Sequence, residues 1–512
     1  MAVTLPPVLP PQQGAAEQLQ QQGSEIAAFA FQNYQVHLLG TPVLSPEAAA
    51  SAASGAESLS DVVRNLGALY YGAGYPATQI TYGLAGQDLY VVATPGRVTS
   101  VTGPAELTPY FQHLVGTAPL TDDALEPRRA LASIHADRAG MQSEPVLSSD
   151  GSADGYTMDL RPLPDSPDPT SLKAEFGNPG NRFVGRHFLD LDIRHAFTTG
   201  DELAATWRSG LPGLNGDDDA EDYHEESLSW SRVTRWGIFG LSGRNVDYSI
   251  DIGAVPVNGD LQQAEAAWLF PILGNFQSRL TVNAKVDYTN KEVSLRSNGA
   301  VAQSQEYGSV EAGSAYSHII SLGGTQHLDL DAGVAVRKGL GDDKTGEPTT
   351  LADQGYLLFR PQASARYAFD EHLSTRLDLY AQITSDTVPE QSQWVMGGLG
   401  NIVSYLPGVA TGDSGGLARL QIEYKDLGDV YGLTFTPRVF AEYGYTKYEN
   451  TIAGLPDGTP TIADAGAELV AAYASWLEAS VAYAHSFYDK DIDQQTLDDS
   501  EANLYFRLTL KL

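Results

Sequence analysis

Alternation of apolar and polar residues runs through the last two thirds of the chain. From about Ser171 onward it recurs in runs such as 280–288, 328–334, 377–383 and 504–512. Because successive side chains of a strand point to opposite faces, each run predicts a strand with one apolar and one polar face. About 16 such strands follow one another, an even number as expected for a bacterial membrane barrel.

The nature of the polar face distinguishes a membrane barrel from a soluble sandwich, which would alternate in the same way. The runs are roughly 9–11 residues long, which is the span of a tilted strand in a bilayer. Charged residues such as Arg376, Asp378 and Arg507 fit a polar lumen. The fold class predicted for residues 165–512 is therefore a transmembrane antiparallel β-barrel.

The first third of the chain has a mixed pattern of helices and strands. Apolar residues recur at helical spacing over roughly 59–71, and a second helix is predicted from Thr121 towards Ala139. Short extended segments surround both helices, and four prolines at 162–169 mark a linker. This order predicts two small α+β domains, at 27–103 and 104–164.

Composition narrows the function classes. The chain has 31 basic and 64 acidic residues and a net charge of −33, which argues against binding to nucleic acid. Cysteine is absent, which excludes disulfides, thiol nucleophiles and cysteine metal sites. The mean hydropathy of −0.21 suits a barrel, in which only alternate residues face lipid. No basic segment followed by an apolar stretch opens the sequence, so we expect any secretion signal to have been removed.

Two motifs have a competing chemical interpretation. Gly412-Asp413-Ser414-Gly415 matches the nucleophile motif of trypsin-like proteases, but Leu417 replaces the usual proline and no histidine stands in the usual setting. An acidic cluster could bind calcium through oxygen ligands, but it has neither ordered spacing nor a turn glycine. The cluster comprises Asp217, Asp218, Asp219, Glu221, Asp222, Glu225 and Glu226. We favour a structural loop and a solvated outer loop, and we predict no catalytic residue, metal site or cofactor.

Aromatic residues gather near the ends of the late predicted strands. They fit an aromatic girdle at the membrane surface, or the ordinary enrichment of aromatics in strands. These residues are Tyr473, Trp476, Tyr483, Phe487 and Tyr488.

Two small domains followed by a barrel of about 16 strands resemble the two-partner-secretion transporters (TpsB), within the BamA-type POTRA/β-barrel superfamily. The polar helix Ala15 to Gln22, after Leu5-Pro6-Pro7, resembles the helix that plugs the pore in that family, within segment 1–26. Residues 27–103 and 104–164 resemble its two POTRA domains. The features of the first are Val36 to Gly40, Leu69-Tyr70, Gly74-Tyr75, Val91 to Gly96 and Gly103. Asn178-Pro179-Gly180 with Gly185 resembles the start of the family barrel.

The most specific resemblance lies in the segment 395–416, between the predicted strands 11 and 12. The family has a loop here that folds into the lumen, with Gly-Gly, then Val-Arg-Gly-aromatic, then Gly-Asp-x-Gly. Gly397-Gly398 and Gly412-Asp413-Ser414-Gly415 match, but Ile402-Val403-Ser404-Tyr405 lacks the arginine. In the family that arginine pairs with an acidic residue of the barrel wall, so a different lock is expected here.

The resemblance implies that the protein moves an extended or unfolded exoprotein from the periplasm to the cell surface. Its POTRA domains would capture the exoprotein by strand addition, and the lumen would conduct it. The implied partners are the exoprotein, outer-membrane lipid and lipopolysaccharide, with the protein itself a monomer. An outer-membrane assembly factor and a gated porin-like channel are the alternatives.

The resemblance also implies four sets of site residues. The pore plug comprises Gln18, Gln20, Gln21 and Gln22, and the lumen loop comprises Gly397, Gly398, Val403, Tyr405, Gly412, Asp413 and Gly415. The wall contacts of the loop are Arg376, Asp378, Arg419 and Glu423, and the POTRA edge that binds the exoprotein is Leu89, Val91 and Ala93.

Overall fold

The computed structural model divides into two small α+β domains and a closed barrel. It describes residues 2–163, 168–181, 183–214, 222–252, 255–341, 344–345, 352–450 and 458–512. No helix in these ranges is long and apolar enough to cross a membrane.

The first domain is a five-stranded sheet with two helices on one face and a short helix on the other. In space the strands follow the order β1-β4-β5-β3-β2. Its elements are β1 (Gln12–Gln13), α1 (Ala16–Leu19), β2 (Glu25–Phe31), β3 (Tyr34–Gly40), α2 (Pro46–Ala50), α3 (Leu59–Gly72), β4 (Thr78–Ala85) and β5 (Asp88–Pro95). Helix α3 starts at a capping box in which Ser58 and Asp61 satisfy each other's backbone N–H groups. The apolar face of α3 packs Val62, Leu66 and Tyr70 onto the sheet.

The second domain has a three-stranded sheet in the order β6-β8-β7. Its elements are β6 (Arg97–Thr102), α4 (Thr108–Phe111), α5 (Asp122–Arg138), β7 (Gln142–Ser149) and β8 (Gly155–Leu163). Helix α5 contributes Leu125, Leu131 and Ala136 to a core that also contains Val3. The segment before β1 therefore packs against the second domain before it reaches the first.

The barrel closes on itself in antiparallel register. Its strands are β9 (Thr170–Gly177), β10 (Phe188–Ala196), β11 (Asp201–Gly210), β12 (Asp222–Thr234), β13 (Gly237–Ile252), β14 (Val255–Gly274), β15 (Ser278–Leu295), β16 (Val301–Gly323), β17 (Gln326–Leu340), β20 (Leu357–Ala368), β21 (Leu373–Gln382), β24 (Ser414–Tyr424), β26 (Leu433–Lys447), β27 (Thr461–Tyr473), β28 (Leu477–Lys490) and β29 (Leu504–Lys511). Shorter elements lie between them: β18 (Lys344–Thr345), β19 (Ala352–Asp353), β22 (Trp394–Met396), β23 (Ala410–Gly412), β25 (Asp429–Val430) and α6 (Gln494–Ser500). The predicted count of 16 wall strands is confirmed.

The wall strands are longer than the sequence pattern predicted. Several exceed the expected 9–11 residues, and Val301–Gly323 reaches 23. Strands of this length continue beyond the hydrocarbon layer, where their outward residues become polar and the alternation that marks a membrane span fades.

The two faces of the wall differ as a membrane barrel requires. On β21, Leu377 and Leu379 are exposed on the outside, whereas Asp378 between them is 8% exposed on the inside. The seam between the first and last strands is closed, because β9 pairs with β29 from Gly177 opposite Arg507 to Lys173 opposite Lys511. Strand β21 thus presents a charged residue to the lumen and apolar residues to the outside.

The second domain is fixed to one end of the barrel. Arg138 of α5 donates hydrogen bonds to the carbonyl oxygens of Gly200 (3.0 Å) and Ser231 (3.3 Å), and to the Ser231 hydroxyl (2.8 Å). At the same end, Asp122 accepts a hydrogen bond from the N–H of Phe276 at 3.3 Å, and burial raises the pKa of Asp122. These barrel residues lie in or beside the turns between wall strands, so this end of the barrel faces the two domains.

We expect Arg138→Ala to loosen this junction. The substitution leaves half-buried carbonyl groups without a charged donor, a loss of about 1.5–3 kcal/mol. Amide hydrogen exchange within α5 should then accelerate by about tenfold or more. Arg161→Ala is the control, because Arg161 pairs with Asp159 at an exposed position. Unchanged exchange in the Arg138 variant would show that the junction is held elsewhere.

Candidate functional site in the barrel lumen

A long loop between the eleventh and twelfth wall strands, β21 and β24, folds back into the barrel. A small hairpin of β22 and β23 forms its stem. The chain turns at Gly397 and Gly398, where φ is +104° and +96°. A Cβ at Gly397 would lie 2.1 Å from the carbonyl oxygen of Leu406, so only glycine fits this turn. The Gly-Gly pair therefore directs the tip of the loop inward.

The tip of the loop is bound through its backbone to two acidic residues of the wall. The N–H of Val403 donates to Oε2 of Glu442 at 2.9 Å, and the N–H of Ser404 donates to Oδ2 of Asp464 at 2.7 Å. Val403 and Ser404 are each 1% exposed, and Asp464 is fully buried. Hydrogen bonds from N–H groups to buried carboxylates are strong, so this pair is the principal lock of the loop.

The positive charge of this lock comes from the barrel wall. Arg419 Nη1 lies 2.7 Å from Glu442 Oε1, and its guanidinium stacks over the ring of Phe440. Arg419 is opposite Glu442, and Glu442 is opposite Asp464, so the three form one row across β24, β26 and β27. An arginine fixed in the wall thus balances the acidic residues that hold a loop without an arginine of its own.

The far side of the loop is attached to the last wall strand and the segment before it. The hydroxyl of Tyr505 donates to the carbonyl oxygen of Tyr405 at 2.7 Å. The N–H of Leu406 donates to the carbonyl oxygen of Ser500 at 2.7 Å, and the N–H of Ala502 donates to the carbonyl oxygen of Ser404 at 3.1 Å. The loop tip therefore bridges the wall from β24 to β29 and occupies the lumen.

Asp413 fixes the base of the loop. Its side chain is fully buried and accepts hydrogen bonds from the N–H groups of Val388 (2.9 Å) and Glu449 (3.0 Å). The hydroxyl of the neighbouring Ser414 accepts from the N–H of Thr384 and donates to its carbonyl oxygen. Asp413 and Ser414 thus tie neighbouring loops together, and the protease interpretation of this motif has no support.

The predicted wall contacts of the loop are largely wrong. Arg376 pairs with Asp378 at 2.8 Å, and Glu423 pairs with Arg438 at 2.7 Å. Among the contacts of the described residues, Arg419 is the one of the four that pairs with an acidic residue binding the loop. Alternation shows that a charge faces the lumen, but not how deep it lies along the barrel.

Three residues of the lock were missed by the sequence pattern. Glu442, Asp464 and Tyr505 lie on inward faces of wall strands, which alternation does indicate. Glu442 and Asp464 are also buried acidic residues on neighbouring strands. A search for opposed acidic residues near the outer strand ends would have been the available signal.

The plug prediction is wrong in this structure. Helix α1 covers only Ala16–Leu19, and Leu19 packs on Leu39 and Val92 of the first domain. The four glutamines lie exposed on that domain, outside the lumen: Gln18, Gln20, Gln21 and Gln22. A short amphipathic helix covers an apolar sheet face more favourably than it fills a polar lumen.

The predicted exoprotein-binding edge is also wrong. β5, which carries Leu89, Val91 and Ala93, lies between β4 and β3 in the middle of the sheet. These three side chains are at most 2% exposed. β5 lies inside the sheet because β3 pairs with it in parallel on one side and β4 pairs with it antiparallel on the other.

The acidic cluster and the late aromatic residues are the remaining features of the sequence analysis. Asp217, Asp218, Asp219 and Glu221 of the acidic cluster lie outside the described residues, and Glu225 pairs with Arg244 at 2.7 Å. Within the described part of the chain, no group of histidines and carboxylates could hold a metal. The late aromatic residues are exposed on the barrel, with Phe487 at 66%, in keeping with a girdle.

Comparison with known proteins identifies the family to which this chain is similar. The model of the family "Haemolysin secretion/activation protein ShlB/FhaC/HecB" matches residues 164–462, more than half of the chain. A sequence search of curated proteins gave no match.

Solved structures share the fold at low sequence identity. CdiB from Escherichia coli is 15% identical with a TM-score of 0.69, covering 95% of this chain and 91% of that one. CdiB from Acinetobacter baumannii is 15% identical with a TM-score of 0.61, covering 90% and 82%. BamA from Haemophilus ducreyi, lacking POTRA domains 1-3, is 12% identical with a TM-score of 0.52, covering 94% and 100%. The chain therefore belongs to the ShlB/FhaC/HecB family of haemolysin secretion/activation proteins and is an outer-membrane transporter of the two-partner-secretion type.

Proposed function

We propose that the barrel exports its exoprotein partner as an extended chain through the lumen, and that the inward loop gates this path. The observation that carries the proposal is the lock formed by Glu442 and Asp464 on the backbone of Val403 and Ser404. Hydrogen bonds of this kind can be broken and remade without unfolding the wall. The loop can therefore yield to a passing chain and return afterwards.

The lumen suits an extended polypeptide. Ion pairs such as Arg438 with Glu423 and Arg337 with Asp287 line the inner wall. Polar walls hold water, so an unfolded chain meets no continuous apolar surface on which to stick. Folding of the exoprotein outside the cell would supply the driving force, because a folded product cannot re-enter a narrow lumen.

The two small domains are proposed to act as POTRA domains that capture the exoprotein in the periplasm. Arg138 of the second domain binds Gly200 and Ser231 at one end of the barrel, which supports a role for this domain beside the lumen entrance. The outer apolar belt, with residues such as Leu377 and Leu420, would contact lipid, and the outer strand ends would contact lipopolysaccharide. Because one chain closes the whole barrel, a monomer suffices for transport.

The seam of the barrel bears on the assembly-factor alternative. Beyond the paired residues of β9 and β29, Leu172 and Leu512 exchange two backbone hydrogen bonds at 2.8 Å each. An assembly factor that inserts other barrels would use a seam that opens readily. The closed seam favours transport through the lumen.

Deleting the gene in its native bacterium tests the proposed function. We expect one large protein to disappear from the cell surface and culture medium, and to return when the intact gene is restored. Quantitative mass spectrometry of both fractions makes the measurement. An unchanged surface proteome, or a general loss of outer-membrane barrels, would contradict export and favour the alternatives.

A further inference from the structure

The segment 2–14 lies along both small domains as an extended strand. Near its start, Thr4 donates its N–H to Ser143 at 3.0 Å, and Ser143 donates its own N–H to Ala2 at 2.8 Å. Further along, Gln12 and Gln13 pair in parallel with Thr81 and Tyr82 of β4. The segment thus adds to the outer edge of a sheet in each domain.

The two ends of this segment are held very differently. Val3 is fully buried, its N–H donates to the Ser133 hydroxyl, and its carbonyl oxygen accepts from Arg129 at 2.8 Å. At the other end, Gln12 and Gln13 are exposed. The first end is an anchor, whereas the second is a light attachment.

The pairing of the segment with β4 is short. It covers two residues of a strand that has eight, with further bonds from the N–H of Gly14 to the Tyr82 carbonyl oxygen (2.8 Å) and from the Gln79 side chain to the Pro10 carbonyl oxygen (3.0 Å). Pro10 and Pro11 precede the paired residues, and proline has no N–H to donate. A partner strand without prolines could use more of the β4 edge than the resident segment does.

The sequence of β4 leaves room for a strand at this edge. A Cβ on Gly83 would lie 2.7 Å from the carbonyl oxygen of Gly14 and 2.9 Å from the N of Ala16. Gly83 itself has no positive φ, so its backbone does not require glycine. A side chain at position 83 would therefore collide with the segment where it approaches β4.

Removing the segment together with α1, which follows it directly, would also uncover an apolar spot beside the edge. Leu19 of α1 covers Leu39 and Val92 on the sheet face away from α3. These two side chains are each 5% exposed with α1 in place. An incoming strand would gain both backbone partners at β4 and apolar contacts on the adjacent face.

We propose that the outer edge of β4 is the site at which the first domain accepts an extended segment of the exoprotein, and that residues 10–19 are its resident occupant. The exoprotein displaces this occupant while the Val3 anchor keeps it close enough to return after transport. The proposal rests on the proposed function, because it names the surface on which the exported chain is first held.

A disulfide can test whether displacement is needed, because the chain has no cysteine of its own. Gln13→Cys with Tyr82→Cys joins two register partners and fixes the occupant to β4 in the full-length transporter. We expect export of the protein identified by gene deletion to fall at least about tenfold and to recover on reduction. Ala30→Cys with Gln35→Cys, which joins β2 to β3 at the far edge, is the control and should export normally.

The opposite variant, Gly14→Pro, removes the N–H that bonds to the Tyr82 carbonyl oxygen and leaves the β4 edge itself unchanged, so it should loosen the occupant. We expect faster amide exchange at residues 12–16 and about tenfold tighter binding of the exoprotein's amino-terminal fragment to the purified transporter. Normal export with the 13–82 disulfide formed, or unchanged binding by the Gly14 variant, would overturn the inference. The proposed function would survive that result, because gene deletion tests export independently of where the first domain holds the exoprotein.

Discussion

Replacing Glu442 and Asp464 together with alanine is expected to release the loop from the lumen. Each substitution removes the acceptor of a buried N–H group, which costs about 1–3 kcal/mol. Two such losses shift the ratio of docked to released loop by about thirtyfold or more. The variant should show a larger and noisier conductance in planar bilayers, and a loop that external protease cleaves on intact cells.

The control for this prediction keeps the acceptors and removes the charges. In Glu442→Gln with Asp464→Asn, the amide oxygens can still accept from Val403 and Ser404. This variant should keep the loop docked far better than the alanine pair, although Arg419 loses its ion pair. If the alanine pair conducts like the unmodified protein, these two residues do not hold the loop.

Replacing Asp413 with alanine is expected to have the second largest effect. The buried N–H groups of Val388 and Glu449 lose their acceptor at once, at a combined cost of about 2–6 kcal/mol. The outer loops should then separate at the base of the lock. Hydrogen exchange at Val388 and Glu449 should accelerate by about thirtyfold or more, and export should fall.

Asp413→Asn gives a graded comparison at the same site. Its single amide oxygen can accept from one of the two N–H groups, whereas its NH2 group cannot accept from the other. Exchange and export should therefore lie between those of the alanine variant and the unmodified protein. If the alanine variant and the unmodified protein show the same hydrogen exchange and export, Asp413 does not help to hold the loop.

The barrel could be predicted from sequence because its signal is local. Alternation such as that at Leu280 to Tyr288 reports strand and face together without any long-range information. The strand count and the place of the loop before Ser414 followed from counting these runs. Strand lengths were underestimated, because strands outside the hydrocarbon layer lose the pattern.

The lock could not be predicted, because it depends on register between strands distant in sequence. Arg419, Glu442 and Asp464 become a row only through the pairing of β24, β26 and β27. Arg376 has the same inward direction but lies at another level of the barrel. Alternation fixes direction, whereas depth is set by the stagger of the whole barrel.

The small domains show a similar limit. The family resemblance implied β5 as an exposed edge, but the parallel pairing of β3 with β5 puts β5 at the centre. The polarity of Gln18 and Gln20–Gln22 suited water or a lumen equally, and the apolar Leu19 decided the outcome by packing on the sheet. In both cases, a contact between residues distant in sequence decided between two positions that the local sequence pattern allowed equally.

Site-directed photo-crosslinking during export would test passage through the lumen most directly. A photoreactive residue would replace either Arg376, which faces the lumen, or Leu377, which faces lipid on the same strand. A folded domain fused to the exoprotein would stall it in transit. Lumen passage predicts crosslinks to the exoprotein from position 376 and none from position 377. Crosslinks absent at 376, or equal at both positions, would contradict it.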